Sequence, residues 1–261
     1  APARGQMWVG GRAGVHVGVG GGCEAGWGGV RGRRCRDGTD CFLQSWDRQP
    51  LDRYCPELLE PLGSVGRGNA RFGLDGEIVI AGEGGLQFES LLLRIHPAAS
   101  RVAMLAAEMP ASFVAFDCLA EGTDDLRDAT HDERRARLEH LLSDPPASVL
   151  LTPASADPAV ARHWFDVFEG AGLDGVIAKR LDGTYQPGKR AMIKVKHQRT
   201  ADCAVAGVRW HKTGPGTPGG ALLPGLFDDP GLLHRGRGSP SLRRAPGHGS
   251  ARARAPQAPP G

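Results

Sequence analysis

The sequence predicts an α+β fold. Two observations carry this expectation. Short apolar runs rich in β-branched residues mix with capped helices in no strict strand–helix alternation. No Gly-x-Gly-x-x-Gly follows a strand, which sets aside a dinucleotide-binding unit.

The elements follow in chain order. Residues 1–38 hold 13 of the 39 glycines and show neither helical nor strand period, so a Gly/Arg-rich head without a core is expected there. "FGLDGEIVIAG" (72–82) is an apolar run around an acidic centre, read as a buried strand or a hairpin turning at Asp75-Gly76. "SFVAFDCLA" (112–120) is another strand. Thr130 to Glu133 forms a capping box that opens a helix, "HDERRARLEHLL". Asp157-Pro158 is an N-cap with Pro at the first helical position. The helix it starts should set Val160, Trp164, Val167 and Phe168 on one face and stop at Gly170 and Gly172. "GVIAKR" (175–180), "AMIKVK" (191–196) and "DCAVAGVRW" (202–210) read as strands. From about His234 the chain turns to Arg, Pro, Gly, Ala and Ser without period, a composition unable to build a core. Gly, Arg, Ala and Pro dominate GC-rich codons, so this tail reads as out-of-frame translation before it reads as a basic arm contacting DNA phosphate.

The net charge of +3 hides an asymmetry. Residues 1–38 carry six Arg and two acids, and residues 231–261 carry six Arg and no acid, so the centre is net acidic. The basic balance is therefore a property of the ends and weak support for nucleic-acid binding. More telling, all five Lys fall at 179, 189, 194, 196 and 212. Six scattered Cys without a Cys-x-x-Cys pair argue against a zinc site or disulfide framework and fit a reducing cytoplasm. No apolar run is long enough to span a membrane, and the first residues lack a signal-peptide apolar core.

Four places carry chemistry. Glu77 lies within an apolar strand, where a carboxylate needs a partner, a metal or a sugar hydroxyl; alone, a surface hairpin acid is the plainer reading. Phe113 and Phe116 lie beside Asp117, and an aromatic there can stack on a base, although core packing explains either ring by itself. Asp174 precedes a strand that ends near Lys179. Lys194 and Lys196, two apart on one strand, share a face with Ile193 and Val195 turned to the core. Two ammonium groups on one face call for an anion between them, and polyphosphate is the natural one. The alternative is a solvated strand edge.

The order of these strands resembles the nucleotidyltransferase superfamily of ATP-dependent DNA ligases and mRNA-capping enzymes. The sequence is most similar to bacterial ATP-dependent DNA ligases of the small, end-joining type, through "LQSWDRQPLDRYCPELLEPL" (43–62) and "GTYQPGKRAMIKVKHQRTADCAVAGVRWHK" (183–212). The resemblance covers roughly residues 24–233 and disfavours RNA ligase or capping chemistry. It implies a DNA ligase-type adenylation domain over 39–200 and the first part of an OB-fold over 201–233, followed by a disordered tail over 234–261. It further implies a monomer that uses ATP and Mg²⁺ or Mn²⁺ to seal nicked double-stranded DNA in repair and recombination. In that family a Lys attacks the α-phosphate of ATP, AMP passes to the 5′-phosphate at a nick, and the 3′-hydroxyl then displaces AMP.

Carried over by motif, Glu77 contacts ribose or metal, and Phe116 stacks on adenine. Asp174 binds metal where the family usually has Glu. Lys179 meets the α-phosphate region, and Lys194 and Lys196 hold phosphate. Arg31 joins the nucleotide-binding set. The family reads Glu-Pro-Lys-Trp-Asp-Gly-Phe-Arg where this chain reads Glu24-Ala-Gly-Trp-Gly-Gly-Val-Arg31, with Arg36-Asp-Gly38 following as in the family. Gly26 therefore stands at the nucleophile and Gly28 at the motif's Asp, and no Lys precedes residue 179 to take over by a shift of register. Trp46 also replaces a usual Arg. Impaired self-adenylation is expected, and a non-catalytic protein that binds nucleotide or DNA is the rival.

Overall fold

A computed structural model describes residues 21–37, 40–45, 47–66, 71–96, 98–168, 173–196, 204–209, 221–227 and 233–235. The expectations for residues 1–20, Trp46 and the tail beyond 235 lie outside the described residues. The chain divides into two compact units, Ala1–His197 and Gln198–Gly261.

In the first unit the strands are β1 (Gly21–Gly26), β2 (Val30–Asp37), β3 (Asp40–Ser45), β4 (Phe72–Val79), β5 (Ala81–Gly82), β6 (Gly85–Leu86), β7 (Ser112–Glu121), β8 (Asp124–Asp125), β9 (Val149–Leu151), β10 (Ala154–Ser155), β11 (Gly175–Arg180) and β12 (Ile193–Lys196). The helices are α1 (Leu59–Ser64), α2 (Phe88–Leu92), α3 (Ala99–Glu108), α4 (His131–Leu141) and α5 (Pro158–Phe168). One sheet has the order β3-β2-β4-β7-β8, with β9 parallel to β7. A second has the order β10-β1-β11-β12, antiparallel between β1, β11 and β12. β5 and β6 form a separate hairpin. The second unit contributes β13 (Ala204–Arg209), β14 (Ala221–Phe227) and β15 (Leu233–Arg235), an antiparallel three-stranded sheet.

The larger core packs Leu43, Leu58, Leu74, Ile78, Phe113, Leu138 and Val149. The smaller packs Cys23, Val176, Ala178 and Val195 against Ala161, Trp164 and Phe165 of α5. α4 begins as its sequence requires: the Thr130 hydroxyl accepts from the Glu133 amide at 3.3 Å, and the Glu133 carboxylate accepts from the Thr130 amide at 2.8 Å. α5 is capped by Asp157, whose carboxylate accepts from the Ala159 amide at 2.8 Å.

Three expectations differ from the structure, and one pair of open readings is decided. The Gly/Arg-rich head is not uniformly without order, because β1 and β2 are paired strands and no unit boundary falls at 38. Glycine hides the strand period by removing side chains, yet paired backbone needs none. Asp75-Gly76 does not turn; β4 runs straight through. Gly76 is there because a Cβ would lie 2.5 Å from the Phe113 ring and 2.6 Å from the Val114 carbonyl oxygen. On α5 the packed residues are Ala161, Trp164 and Phe165, and Val167 is exposed. On β12 only Val195 is buried, whereas Ile193 is 42% exposed, since β12 is an edge strand near its start.

Candidate nucleotide cleft

Strand register decides which side chains share a face. Residues directly opposite in an antiparallel pair point the same way. Glu24 faces Ile177, which faces Lys194; Gly26 faces Gly175, which faces Lys196; Gly22 faces Lys179. One face of this sheet thus carries Glu24, position 26, Lys179, Lys194 and Lys196, while Cys23, Val176, Ala178 and Val195 pack beneath it against α5.

Gly175 fixes the end of that face. Its φ of +133° lies where glycine is favoured, and a Cβ would collide with the Val195 carbonyl oxygen. Just before it, the Asp174 carboxylate accepts 2.9 Å bonds from both Lys194 and Lys196. The anion required between the two lysines is, in this state, Asp174 itself. Burial pushes the Asp174 carboxyl up, but the two ammonium groups outweigh it and hold it below the usual range.

The other sheet brings its own carboxylate. Glu77 lies opposite Arg31 and Asp75 opposite Arg33. Burial raises the Glu77 carboxyl to about 7, against the pull of Lys194, the Gly29 amide and Arg31. Gly29 can approach so closely because it has no Cβ; one would collide with the Ile78 carbonyl oxygen. Trp27 is anchored beside it by a 2.8 Å bond from its indole to the Thr152 hydroxyl.

Phe116 owes its position to a β-bulge. Gly76 pairs with Ala115 and Asp75 with Asp117, so Phe116 is the extra residue of β7. Its ring lies 4.9 Å from the Lys179 ammonium and 5.4 Å from the Arg31 guanidinium. Lys179 is buried, 2.6 Å from Glu24 and 3.4 Å from the Phe116 carbonyl oxygen. Lys179 is therefore engaged by Glu24 and Phe116, and Lys194 and Lys196 by Asp174. Phe113, by contrast, is fully buried core.

A network of buried polar groups that the sequence did not announce supports this arrangement. Arg134 of α4 donates to Asp117 at 2.7 and 3.1 Å and to the carbonyls of Ala129 and Gly183. His131, one turn earlier, meets Glu24 at 3.1 Å. Arg31 grips Asp75 at 3.0 and 2.6 Å, and the Tyr185 hydroxyl donates to the same carboxylate at 2.6 Å. Burial and Asp75 push the Tyr185 hydroxyl up to about 12, so it stays a donor. A cavity of about 350 Å³ is lined by Arg31, Asp117, His131, Arg134, Lys179 and Tyr185 among others. Glu77, Phe116, Asp174, Lys194 and Lys196 lie outside that lining; Phe116 meets Arg31 and Lys179 of the lining, and Glu77 is paired with Arg31 across the sheet. The available signal for the missed residues was the same as for Glu77: Asp75 and Asp117 are acids within apolar strands, and His131 and Arg134 share a helix face at a spacing of three.

Two oxygen donors, Glu77 and Asp174, border the lysines. Among the described residues no group of three or more His, Cys, Asp or Glu gathers. This donor set fits a hard cation that keeps waters and takes phosphate oxygens, and does not fit a site built from protein ligands alone.

The family described as ATP dependent DNA ligase domain matches residues 18–196. DNA ligase C2 of Mycolicibacterium smegmatis is 53% identical over 80% of this chain and 58% of its own length. DNA ligase C of Mycobacterium tuberculosis is 50% identical over 80% of this chain and 59% of its own length. A solved mycobacterial DNA ligase D complexed with ATP and MES superposes with a TM-score of 0.54 at 27% identity, covering 85% of this chain and 66% of that one. The chain thus spans less than two thirds of the length of each.

Proposed function

Because this chain belongs to the ATP-dependent DNA ligase family, we propose that it binds ATP and joins DNA strands at a nick, with the self-adenylation step lost. The observation that carries this is the shared sheet face of position 26, Lys194 and Lys196, opposite Glu77. A nucleotide's phosphates take the place of Asp174 between the two lysines. Phe116 stacks on the adenine, Arg31 joins the nucleotide-binding set, and Lys179 meets the α-phosphate region. Glu77 and the released Asp174 hold the divalent cation, Mg²⁺ or Mn²⁺, which when bound offsets phosphate charge. Gly26 has no side chain to attack phosphorus, so no phosphoramidate forms on the chain.

Sealing of an already adenylated nick needs no such nucleophile. The 3′-hydroxyl oxygen attacks the 5′-phosphorus, the phosphoanhydride bond to AMP breaks, and AMP leaves with the electron pair. Lys194 and Lys196 offset the charge that develops on the phosphates. The three strands of the second unit support the start of an OB-fold that would clasp duplex. We place the protein in the cytoplasm as a monomer acting in DNA repair and recombination. Among the described residues no helix is long and apolar enough to cross a membrane. The glycine at position 26 also favours the rival reading, a protein that binds nucleotide or nicked DNA without chemistry.

One experiment separates the two. Full chain, Mg²⁺ and a nicked duplex bearing a 5′-adenylated end are incubated without ATP and the strands resolved on a denaturing gel. Joined strand is the expected result. Binding of the same duplex with no joined strand leaves the non-catalytic reading.

A further inference from the structure

His131 opens the first turn of α4 and is buried, yet it lines the cavity of about 350 Å³ together with Lys179. Its ring has a polar neighbour at each nitrogen. Arg134 Nη2 lies 3.4 Å from Nδ1, and a guanidinium can only donate, so Nδ1 accepts. The ring hydrogen therefore sits on Nε2, which donates to Glu24 Oε1 at 3.1 Å. The Asp117 carboxylate, 4.0 Å from Nδ1, is too far to bond it and is held by Arg134 at 2.7 and 3.1 Å. The other oxygen of Glu24, Oε2, lies 2.6 Å from the Lys179 ammonium. An ammonium has three N–H donors. Glu24 takes one and the Phe116 carbonyl oxygen a second, at 3.4 Å, so one remains for the cavity.

We propose that His131 is a positioning residue for nucleotide binding: by occupying Oε1 of Glu24 it limits that carboxylate to one bond with Lys179 and keeps the third donor of Lys179 available to a nucleotide's phosphate. Without the imidazole, Glu24 is a buried carboxylate with one oxygen left without its donor, which costs free energy. The nearest remedy is for both oxygens to close on Lys179, and that draws the ammonium away from the cavity. The row of contacts runs from Arg134 through His131 and Glu24 to Lys179, so α4 acts on β11 through β1. The inference rests on the reading of this cavity as a nucleotide site.

The test measures ATP affinity of the full chain with Mg²⁺ by titration calorimetry, and the melting temperature of each variant without ATP. His131→Phe fills the site and has no donor. His131→Asn has an amide that stops short of Glu24. His131→Gln carries its amide nitrogen about as far from the backbone as Nε2. The expected result is that Phe and Asn each weaken ATP binding about tenfold, the worth of one charge-assisted hydrogen bond. Gln should restore affinity to within about threefold of the parent, a rescue that filling a core site would not give. In a Glu24→Gln background no carboxylate competes for Lys179, and His131→Phe should change affinity by less than about twofold. A tenfold loss in both backgrounds, Gln as weak as Phe, or Phe and Asn equal to the parent would each overturn the role of His131 and leave the nucleotide reading standing. A parent that binds no ATP would overturn both. Two variants that lack the donor keep the test decisive if one of them does not fold.

Discussion

The amide of Asp174 donates a 2.8 Å hydrogen bond to the carbonyl oxygen of Gly26. Position 26 is therefore a backbone neighbour of the carboxylate that holds Lys194 and Lys196. Any side chain placed at 26 leaves the sheet on the same face as both lysines. Under the proposed reading of position 26 as the nucleophile's place, a side chain restored there would face both lysines.

This makes restoration testable. Gly26→Lys together with Gly28→Asp should give a covalent AMP adduct with radiolabelled ATP and Mg²⁺, visible on a denaturing gel, where the parent chain gives none. A Cβ at 26 meets the Gly175 carbonyl oxygen at 3.1 Å, so the neighbour must yield by a few tenths of an ångström. A small loss of stability is expected with the gain of the adduct. A labelled band from the parent chain would show the loss of self-adenylation to be wrong.

Gly76→Ala tests the close approach of β4 to β7. With the Phe113 ring 2.5 Å and the Val114 carbonyl 2.6 Å from the new methyl, β4 and β7 must separate at the bulge that presents Phe116. The expected cost is more than about 2 kcal/mol, read as a shift in urea midpoint. An unchanged midpoint would contradict the close approach.

Glu24 links stability to pH. Burial pushes its carboxyl up, but Lys179 and His131 outweigh burial and hold it below its ordinary 4.5. The folded state thus favours the ionised form. Its contribution is complete above pH 4.5, the unfolded value, and is lost as pH falls through the lower folded value. Unfolding free energy should drop in that acid window, and Glu24→Gln should lower stability at neutral pH while flattening the drop. An unchanged slope in the variant would remove Glu24 from the account.

Some of this was legible in the residues alone. The capping box of α4, the Asp-Pro start of α5 and the strands around Glu77, Asp117, Lys179 and Lys194 follow from local rules: spacing of apolar residues, oxygen caps on free amides, side chains alternating along a strand. The order of those strands sufficed to reach the family, and the glycine at position 26 is a plain fact of the chain. Local rules did not reach the glycine-rich β1 and β2, whose pairing rests on backbone hydrogen bonds that leave no side-chain period.

What only the tertiary structure decided is how distant segments meet. Glu24 and His131 are 107 residues apart, and only the register of β1 against β11 turns Glu24 toward Lys179 and α4. The bulge that frees Phe116 exists because β7 carries one extra residue between the partners of Asp75 and Gly76. Burial likewise is a relation between elements. Val167 and Ile193 carry apolar side chains where periodicity wants them buried, yet both stand exposed. A sequence states what each segment favours locally; the register and packing of segments against one another fix which charge meets which and where the anion between Lys194 and Lys196 comes from.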